Sequence, residues 1–282
     1  MNTIGPPVRV SPSWLRLREA ADAAARAEGL LAPVRALLNG HAPHPPATRL
    51  VIHDLGCGTG AMGRWLARRL PGPQHWILSD LDPDLLRHAA AAVTGTAADG
   101  TPVTAETRRT DVTRLDAADL AGTSLVTASA LLDLLTREEV ANLAAACVRA
   151  GCPALLTLSV VGRVRLTPAD PLDAEINAAF NAHQRRQAAG RDLLGPAAVD
   201  AAAEAFARLG ARVRVDSSPW RLGAGQAPLL RAWLRAWVGA ARAQRPALST
   251  AARAYLDRRL AAATAGELRV VVDHRDLLAY PA

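Results

Sequence analysis

The stretch Val51-Ile52-His53-Asp54-Leu55-Gly56-Cys57-Gly58-Thr59-Gly60 decides the fold, and a helical run from Met62 to Leu70 follows it. A short apolar run that breaks into glycines and continues as a helix is typical of a buried strand, a tight loop and a helix. Glycines at 56, 58 and 60 remove every Cβ where the backbone must approach a ligand closely, and the free N–H groups at the start of the helix point to the same place. The stretch therefore predicts a site for a nucleotide-like ligand.

The sequence of this loop can be compared with two known patterns of nucleotide-binding sites. Gly58 to Gly63 fits the dinucleotide pattern G-x-G-x-x-G, but there the first glycine follows the strand directly, whereas Gly58 comes three residues after Leu55. The order acidic-Leu-Gly-x-Gly-x-Gly, from Asp54 to Gly60, instead resembles motif I of the class I S-adenosylmethionine (SAM)-dependent methyltransferases. The resemblance implies that the loop packs against the methionine part of SAM and that Asp54 helps to hold its ammonium group.

Two acids further along the chain stand where a cofactor of this kind is bound. Asp80 ends the second predicted strand, which begins at Trp76, and α/β nucleotide folds place the acceptor for ribose hydroxyls there. Asp82 precedes a proline and is assigned to capping the next helix. After a third strand near Val103–Thr107, the resemblance places Asp111 against the adenine amino group, although a turn or cap residue is the alternative. The predicted cofactor contacts are Asp54, Gly56, Cys57, Gly58, Gly60, Asp80, Leu81, Asp111, Val112 and Ser129.

The fourth predicted strand, Leu125–Ala128, leads into a region similar to the family's motif IV, which borders the transferred methyl and the substrate. Asp133 takes the place often filled by His in small-molecule members, so it is a candidate catalytic residue, with helix capping as the alternative. Ser124 stands where an acid often opens this strand. The N/D-P-P-Y motif of enzymes that methylate base amino groups is absent, and so is the Pro-Cys pair of the cytosine C5 enzymes.

Residues 162–190 are predicted to form a lid. A fifth strand is expected at Ala154–Val160, and the polar, proline-broken stretch after it introduces a helix from about Ala174 to Gln187. His183 lies on the apolar face of that helix, and its unperturbed pKa of about 6.5 suits a general base, so it is the second catalytic candidate. Packing within the lid is the alternative for His183. Substrate contacts are predicted for Asn177, Phe180, Asn181, Gln184 and Arg185, the last of these for an anionic group.

The remaining segments complete the predicted architecture. Residues 1–48 form a helical lead-in over the cofactor mouth or a partner subunit, starting at the Ser11-Pro12 cap and ending in a proline-rich linker with His41 and His44. Residues 49–282 form the SAM-binding domain, with a helical insertion at 226–264. The resemblance implies an α/β fold with a Rossmann-like seven-stranded sheet in the order 3-2-1-4-5-7-6, its last strand antiparallel.

Composition limits the partners. The chain has 282 residues, 50% of them hydrophobic, which can fill one large core. Its net charge is +7 and all 33 basic side chains are Arg, which indicates a GC-rich genome. Because the arginine pairs are scattered among acids, we expect solvated helix faces and no nucleic-acid partner.

No apolar run of about 18 residues and no signal-peptide pattern appear, so we expect a cytoplasmic protein without a membrane partner. Formation of a homodimer is left as an open alternative.

The three cysteines, Cys57, Cys147 and Cys152, are an odd number and form no C-x-x-C pair, which argues against a disulfide framework and a zinc site. We expect no metal. The resemblance implies direct in-line methyl transfer from SAM to an O, N or C nucleophile of a small molecule, in bacterial secondary metabolism. The alternatives are an RNA methyltransferase, a non-methylating SAM-binding protein and an NAD(P)-dependent oxidoreductase.

Overall fold

The helices and strands are those of a computed structural model, which describes residues 10–40 and 49–282. The helices are α1 (Pro12–Ala25), α2 (Leu31–Gly40), α3 (Ala61–Ala67), α4 (Pro83–Ala92), α5 (Arg137–Ala150), α6 (Asp173–Gln184), α7 (Ala198–Arg208), α8 (Ala227–Gln244) and α9 (Ser249–Thr264). The strands are β1 (Leu50–Leu55), β2 (Gln74–Asp80), β3 (Gly95–Thr96), β4 (Pro102–Arg109), β5 (Leu125–Ser129), β6 (Ala154–Thr167), β7 (Gln187–Ala188), β8 (Arg191–Asp192), β9 (Arg212–Ser217), β10 (Trp220–Leu222) and β11 (Arg269–Tyr280). The predicted linker with His41 and His44 lies outside the described residues.

Seven strands form the sheet that the sequence predicts. Their order is β4-β2-β1-β5-β6-β11-β9, and β11 runs antiparallel to both β6 and β9. The five strands from β4 to β6 are mutually parallel, so their carboxyl ends meet at one edge. This confirms the predicted order and the antiparallel last strand.

Among residues 10–40 and 49–282 the sheet has nine strands rather than seven. The two-residue strand β3 pairs with β4, and β10 pairs with β11, where Trp220 lies opposite Val272. β11 is twelve residues long, so its outer edge accommodates β10 near its start and β9 near its end. The periodicity of single strands does not reveal that two short segments share one long neighbour.

The fifth predicted strand is longer than the sequence suggested. β6 continues to Thr167, and its last residues pair with β11, so residues 162–167 belong to the sheet and not to a lid. Val164 and Leu166 point inward there, while Arg163 and Arg165 point outward and pair with Asp273. The stretch looked too polar for a strand because its outward side chains are arginines with a partner on β11. The inserted segment begins after Thr167.

Three hydrophobic clusters hold the helices against the sheet. α5 and α7 cover one face, and α2, α3 and α4 cover the other. The third cluster joins α6, α8 and α9 to the outer parts of β6, β10 and β11. The apolar stripe of α8, including Leu230 and Trp237, lies in this core. The helical insertion at 226–264 therefore supports the inserted helix α6 from behind.

Asp276 of β11 connects three segments of the chain. Its carboxylate accepts hydrogen bonds from the Leu158 amide at 2.7 Å, the Ser218 hydroxyl at 2.5 Å and the Ala27 amide at 2.8 Å. Leu158 has a φ of +57°, a conformation that is unfavourable for a branched side chain. The bond from the Leu158 amide to Asp276 stabilises this bend in β6, and the bond from the Ala27 amide fixes the chain just beyond α1.

Within residues 10–40 and 49–282, no helix combines the length and the apolar character needed to cross a lipid bilayer.

Candidate cofactor and substrate site

A cavity of about 500 Å³ lies at the carboxyl edge of the parallel strands. The glycine loop after β1 lines one end, and α1 and the inserted helix α6 contribute to the walls. Nine of the ten predicted cofactor contacts line this cavity: Asp54, Gly56, Cys57, Gly58, Asp80, Leu81, Asp111, Val112 and Ser129. The tenth, Gly60, does not. The structure thus brings together residues that are spread over 76 positions of the sequence, and their individual roles stay predictions.

Two glycines of the loop have different structural roles. Gly58 has a φ of +55°, and a Cβ there would lie 3.0 Å from the Cδ1 atom of Leu15 on α1. Gly60 has a φ of +79°, and a Cβ there would lie only 2.6 Å from Cγ2 of Val93. Gly58 therefore gives α1 room to cover the loop, whereas Gly60 allows the start of α3 to pack against the end of α4.

Asp80 holds the glycine loop in place. Its Oδ2 accepts a hydrogen bond from the Gly58 amide at 2.9 Å, and its Oδ1 accepts one from the Asp82 amide at 2.9 Å. A carboxylate has about four acceptor positions, so Asp80 retains the capacity to accept hydrogen bonds from a ribose. Asp82 caps α4 as predicted, accepting from the Asp84 amide at 2.8 Å, and it also lines the cavity.

Asp54 is a buried carboxylate with one free oxygen. Its Oδ1 accepts a hydrogen bond from Thr127 at 2.8 Å, while Oδ2 has no hydrogen-bond partner in the described part of the chain. Burial raises the pKa of Asp54 to about 7, against the opposing effects of the Thr127 bond and the positive charge of Arg26. A cation placed at Oδ2 would stabilise the ionised form of this side chain.

Arg26 is a cavity residue that the sequence reasoning missed. It is 3% exposed, and Nη2 donates to Ser129 at 3.3 Å, while Nε and Nη1 have no partner among the described residues. Its guanidinium lies 5.1 Å from the ring centre of Trp65. Burial lowers the pKa of Arg26, although Asp22, Asp276 and Asp54 oppose that shift. The signal in the sequence was weak, because Arg26 follows a run of alanines at the end of an unremarkable helix.

Asp111 caps the short helical turn Val112–Arg114. Its Oδ1 accepts hydrogen bonds from the Thr113 amide at 3.1 Å and the Thr113 hydroxyl at 2.7 Å. The capping alternative is therefore realised, while the side chain also lines the cavity. Its contact with adenine stays a prediction.

Asp133 lines the cavity from the turn after β5. It lies inside the short helical turn Leu132–Leu134, whose first residue is preceded by Leu131 as the cap, so Asp133 is not the capping residue. Burial raises the pKa of Asp133 to about 6. A carboxyl with that pKa is ionised for the most part at pH 7 and is a better proton acceptor than an ordinary aspartate.

The inserted helix α6 brings only part of its predicted residues to the cavity. Phe180 and Gln184 line it, one turn apart. Asn177 and Asn181 instead donate hydrogen bonds from their Nδ2 atoms to the Gly162 carbonyl, at 2.9 and 2.7 Å. The amides therefore fasten α6 to β6, and they are not among the cavity residues.

His183 and Arg185 are not among the residues that line the cavity either. His183 is half-buried, and burial and the charge of Arg186 lower its pKa, while Arg185 is exposed. Ile176 and Ala179 of the same helix are buried in the third cluster. The catalytic role of His183 stays a prediction without support from its position.

Aromatic side chains form part of the cavity wall. Trp14 of α1, Trp220 of β10, Trp233 of α8 and Phe180 line the cavity, together with His274 of β11. Sequence reasoning did not single out Trp220 or His274 as cavity residues. These five residues come from five separate elements, so no local sequence pattern reveals that they line one cavity.

Among the described residues, no His, Cys, Asp and Glu side chains gather in groups of three or more that could hold a metal ion.

Part of the chain matches the sequence model of a known protein family. Residues 52–153 match the sequence model of the family described as "Methyltransferase domain". This match covers about a third of the chain. The matched region runs from β1 to the turn before β6 and includes the glycine loop, Asp80, Asp111 and Asp133.

One curated relative matches a short stretch. The biotin biosynthesis bifunctional protein BioCD of Bordetella avium is 60% identical over 40 residues, which are 14% of this chain. The chain spans only 8% of the length of that relative.

Solved structures resemble the chain over most of its length, at low identity. The mycolic acid cyclopropane synthase CmaA1, complexed with SAH and CTAB, is 15% identical with a TM-score of 0.49, covering 96% of this chain and 94% of its own. The cyclopropane synthase MmaA2 from Mycobacterium tuberculosis has the same identity and coverage and a TM-score of 0.48. A putative sarcosine dimethylglycine methyltransferase from Galdieria sulphuraria is 13% identical with a TM-score of 0.42, covering 96% and 97%. Likenesses of this size do not extend to substrate or reaction.

Proposed function

We propose that the protein is a SAM-dependent methyltransferase that acts on a small molecule. The observation that carries the proposal is a pair of buried, oppositely charged groups beside the glycine loop. Oδ2 of Asp54 lacks a hydrogen-bond partner, and so do Nε and Nη1 of Arg26, among the described residues. Both side chains line the same cavity.

This pair matches the amino-acid end of SAM. Leaving a buried charged group unpaired is costly, so two such groups in one cavity indicate a ligand that pairs with both. The methionine part of SAM carries an ammonium group for Asp54 and a carboxylate for Arg26. Asp80 and Asp111 line the same cavity, and we assign them to the ribose and the adenine.

The same pair argues against a dinucleotide. A pyrophosphate at the glycine loop would bring two negative charges towards Asp54, whose burial already disfavours its own charge. The antiparallel β11 also departs from the all-parallel sheet expected of a dinucleotide-binding domain.

When bound, SAM supplies an electrophilic methyl group. The chain therefore has to bind and orient the two reactants and shield them from water. Leu15 of α1 covers Gly58, which limits access of water to the loop. Asp133 is our candidate for removing a proton from a nucleophile that requires it, because its pKa of about 6 lies near neutral pH. Orientation of the two reactants in one enclosed space supplies the rest of the rate acceleration.

The aromatic residues of the cavity wall support a small-molecule substrate over RNA. A nucleic acid needs a basic surface along which its backbone can lie, whereas Trp14, Trp220 and Trp233 are among the residues that line this cavity. The finer parts of the proposal are a bacterial secondary-metabolic substrate, an O, N or C nucleophile and a cytoplasmic location. The all-arginine composition supports a GC-rich bacterial source.

The test is binding by calorimetry to the full chain, with SAM, S-adenosylhomocysteine (SAH) and NADH as ligands. We expect 1:1 binding of SAM and SAH, lost in Gly58→Val, because a branched side chain there meets Leu15 and fills cofactor space. Gly72→Val is the matched control, since Gly72 also has a positive φ, of +87°, and open space around it. Stronger binding of NADH than of SAM would refute the proposal. Binding of SAM with no SAH formed from any candidate substrate would favour a non-methylating SAM-binding protein.

A further inference from the structure

His274 presents an unused hydrogen-bond acceptor to the cavity. Its Nδ1 lies 3.0 Å from the Val272 carbonyl oxygen, which can only accept, so Nδ1 carries the proton. In the neutral ring Nε2 is then an acceptor, and it makes no hydrogen bond among the described residues. Burial and the nearby charge of Arg18 lower the pKa of His274 to about 3, so the ring stays neutral at physiological pH.

The surroundings of His274 are aromatic. The ring of Trp220 lies with its centroid 5.3 Å from that of His274, at an angle of 51°. Trp14, Trp233 and Phe180 line the same cavity, from α1, α8 and α6. Flat apolar walls on several sides fit a flat aromatic ligand better than a branched or extended one.

Arg18 and Asp22, the two charged residues that contact Trp220, are paired with each other. Asp22 accepts two bonds from Nε of Arg18, at 2.9 and 3.1 Å, and one from Nε1 of Trp220 at 2.9 Å. The guanidinium of Arg18 lies 4.9 Å from the centre of the Trp220 ring. A cationic ligand would meet the positive charge of Arg18 at that ring, and an anionic ligand would have to compete with Asp22 for Arg18. The compartment therefore favours a neutral ligand.

We propose that the substrate is a neutral, flat aromatic molecule that lies between Trp14, Trp220 and Trp233 and donates a hydrogen bond from a hydroxyl or ring N–H group to Nε2 of His274. This inference rests on the proposed methyltransferase function and specifies its substrate class. His274 acts in it as a specificity-determining acceptor. Asp133, which also lines the cavity, is the group left to receive a proton during transfer.

The experiment uses matched naphthalenes as probes with the full chain saturated with SAH. 2-Naphthol has the donor, and 2-methoxynaphthalene lacks it; benzoate and trimethylanilinium represent anions and cations. We expect 2-naphthol to bind about tenfold more tightly than 2-methoxynaphthalene, since a buried acceptor is left unpaired by the second probe. In His274→Leu the preference should disappear while 2-methoxynaphthalene binds within about twofold of the parent. His75→Leu is the matched control, because His75 bonds to Thr104 on β4 and does not line the cavity.

A second readout does not depend on a variant. In protein with ¹⁵N-labelled histidine, 2-naphthol should shift the Nε2 resonance of one neutral ring, and 2-methoxynaphthalene should not. Equal affinities of the two probes, a preference that persists in folded His274→Leu, or stronger binding of either ion would overturn the inference. SAH affinity, measured first, separates the two proposals: its absence refutes the methyltransferase function, whereas normal SAH binding without 2-naphthol binding refutes only the substrate class.

Discussion

Thr127 of β5 donates its hydroxyl hydrogen to Oδ1 of Asp54 on the neighbouring strand β1, across 2.8 Å. The two residues are direct partners in the parallel pairing of these strands. The bond fixes the orientation of the carboxylate, with Oδ2 left free of any partner in the described chain. A ligand cation therefore meets a fixed acceptor whose charge depends on pH.

The affinity for SAM should rise with pH between about 6 and 7.5. Free Asp54 has a pKa of about 7, raised by burial, and a bound ammonium group lowers that pKa, so binding releases protons in this window. The rise should end as the α-amino group of SAM itself loses its proton, near pH 8. Calorimetry in two buffers of different ionisation enthalpy measures the protons released. Asp54→Asn can keep the Thr127 bond, and in this variant the proton release on SAM binding should vanish. Proton uptake on binding to the parent would contradict the contact between Asp54 and the ammonium group.

Arg26→Met should weaken SAM and SAH binding by about tenfold to a hundredfold, because a charged hydrogen-bond donor to the carboxylate is lost. Arg69→Met is the matched control. Arg69 also lies against the ring of Trp65, at 4.7 Å, but it does not line the cavity. Equal effects of the two substitutions on affinity would mean that the stacking on Trp65, and not a ligand contact, explains the loss.

The predicted ribose contact of Asp80 can be separated from its role in holding the loop. Asp80→Ala removes the bond to the Gly58 amide as well as any bond to the ribose, so a lower affinity alone is ambiguous. SAH should bind the parent about tenfold more tightly than its 2′,3′-dideoxy form does, and this ratio should approach one in Asp80→Ala. A ratio that is unchanged in the folded variant places the ribose contact on another residue.

Gly60→Ala should destabilise the fold more than Gly100→Ala does. Both glycines have a positive φ, of +79° and +83°, but an added Cβ meets Val93 at 2.6 Å in the first case and nothing within 4 Å in the second. The left-handed conformation costs about 1 kcal/mol in each variant, and overpacking adds about 1–3 kcal/mol for Gly60. Denaturant unfolding without ligand measures the difference. The double variant Gly60→Ala/Val93→Ala should recover part of the loss, and no recovery would point to another cause.

The central fold was predictable because its signals are local. The glycine loop, the Ser11 and Asp82 caps and the apolar strands each follow from a few adjacent residues, and the family resemblance supplied their order. The length of β6 was not predictable in this way, since Arg163 and Arg165 are acceptable in a strand only beside Asp273, 108 residues beyond Arg165. The local sequence around Arg163 and Arg165 does not show that Asp273 will lie beside them in the folded protein.

The candidate site was predictable where it follows strand ends and not where it depends on how helices pack. Asp54 lies near the end of β1, Asp80 ends β2 and Asp111 follows β4, and the sheet order brings them together. Arg26 and His274 reach the cavity from α1 and β11, which are distant in sequence. For α6, the spacing shows that Asn177 and Asn181 share a face, but only tertiary contacts decide that this face meets Gly162.

The carboxylate of Asp276 has a consequence for synthesis of the chain on the ribosome. It bonds to Ala27, 249 residues earlier, and to Leu158, 118 residues earlier. A nascent chain can form the glycine loop and the first parallel strands early, but the bend at Leu158 and the anchor of α1 must wait until β11 has been translated. Long-range closure of this kind is slow and leaves apolar surface exposed meanwhile. The half-made protein therefore has its cofactor motif without the walls that would retain a cofactor, and its need for chaperones should be greatest just before the last strand emerges.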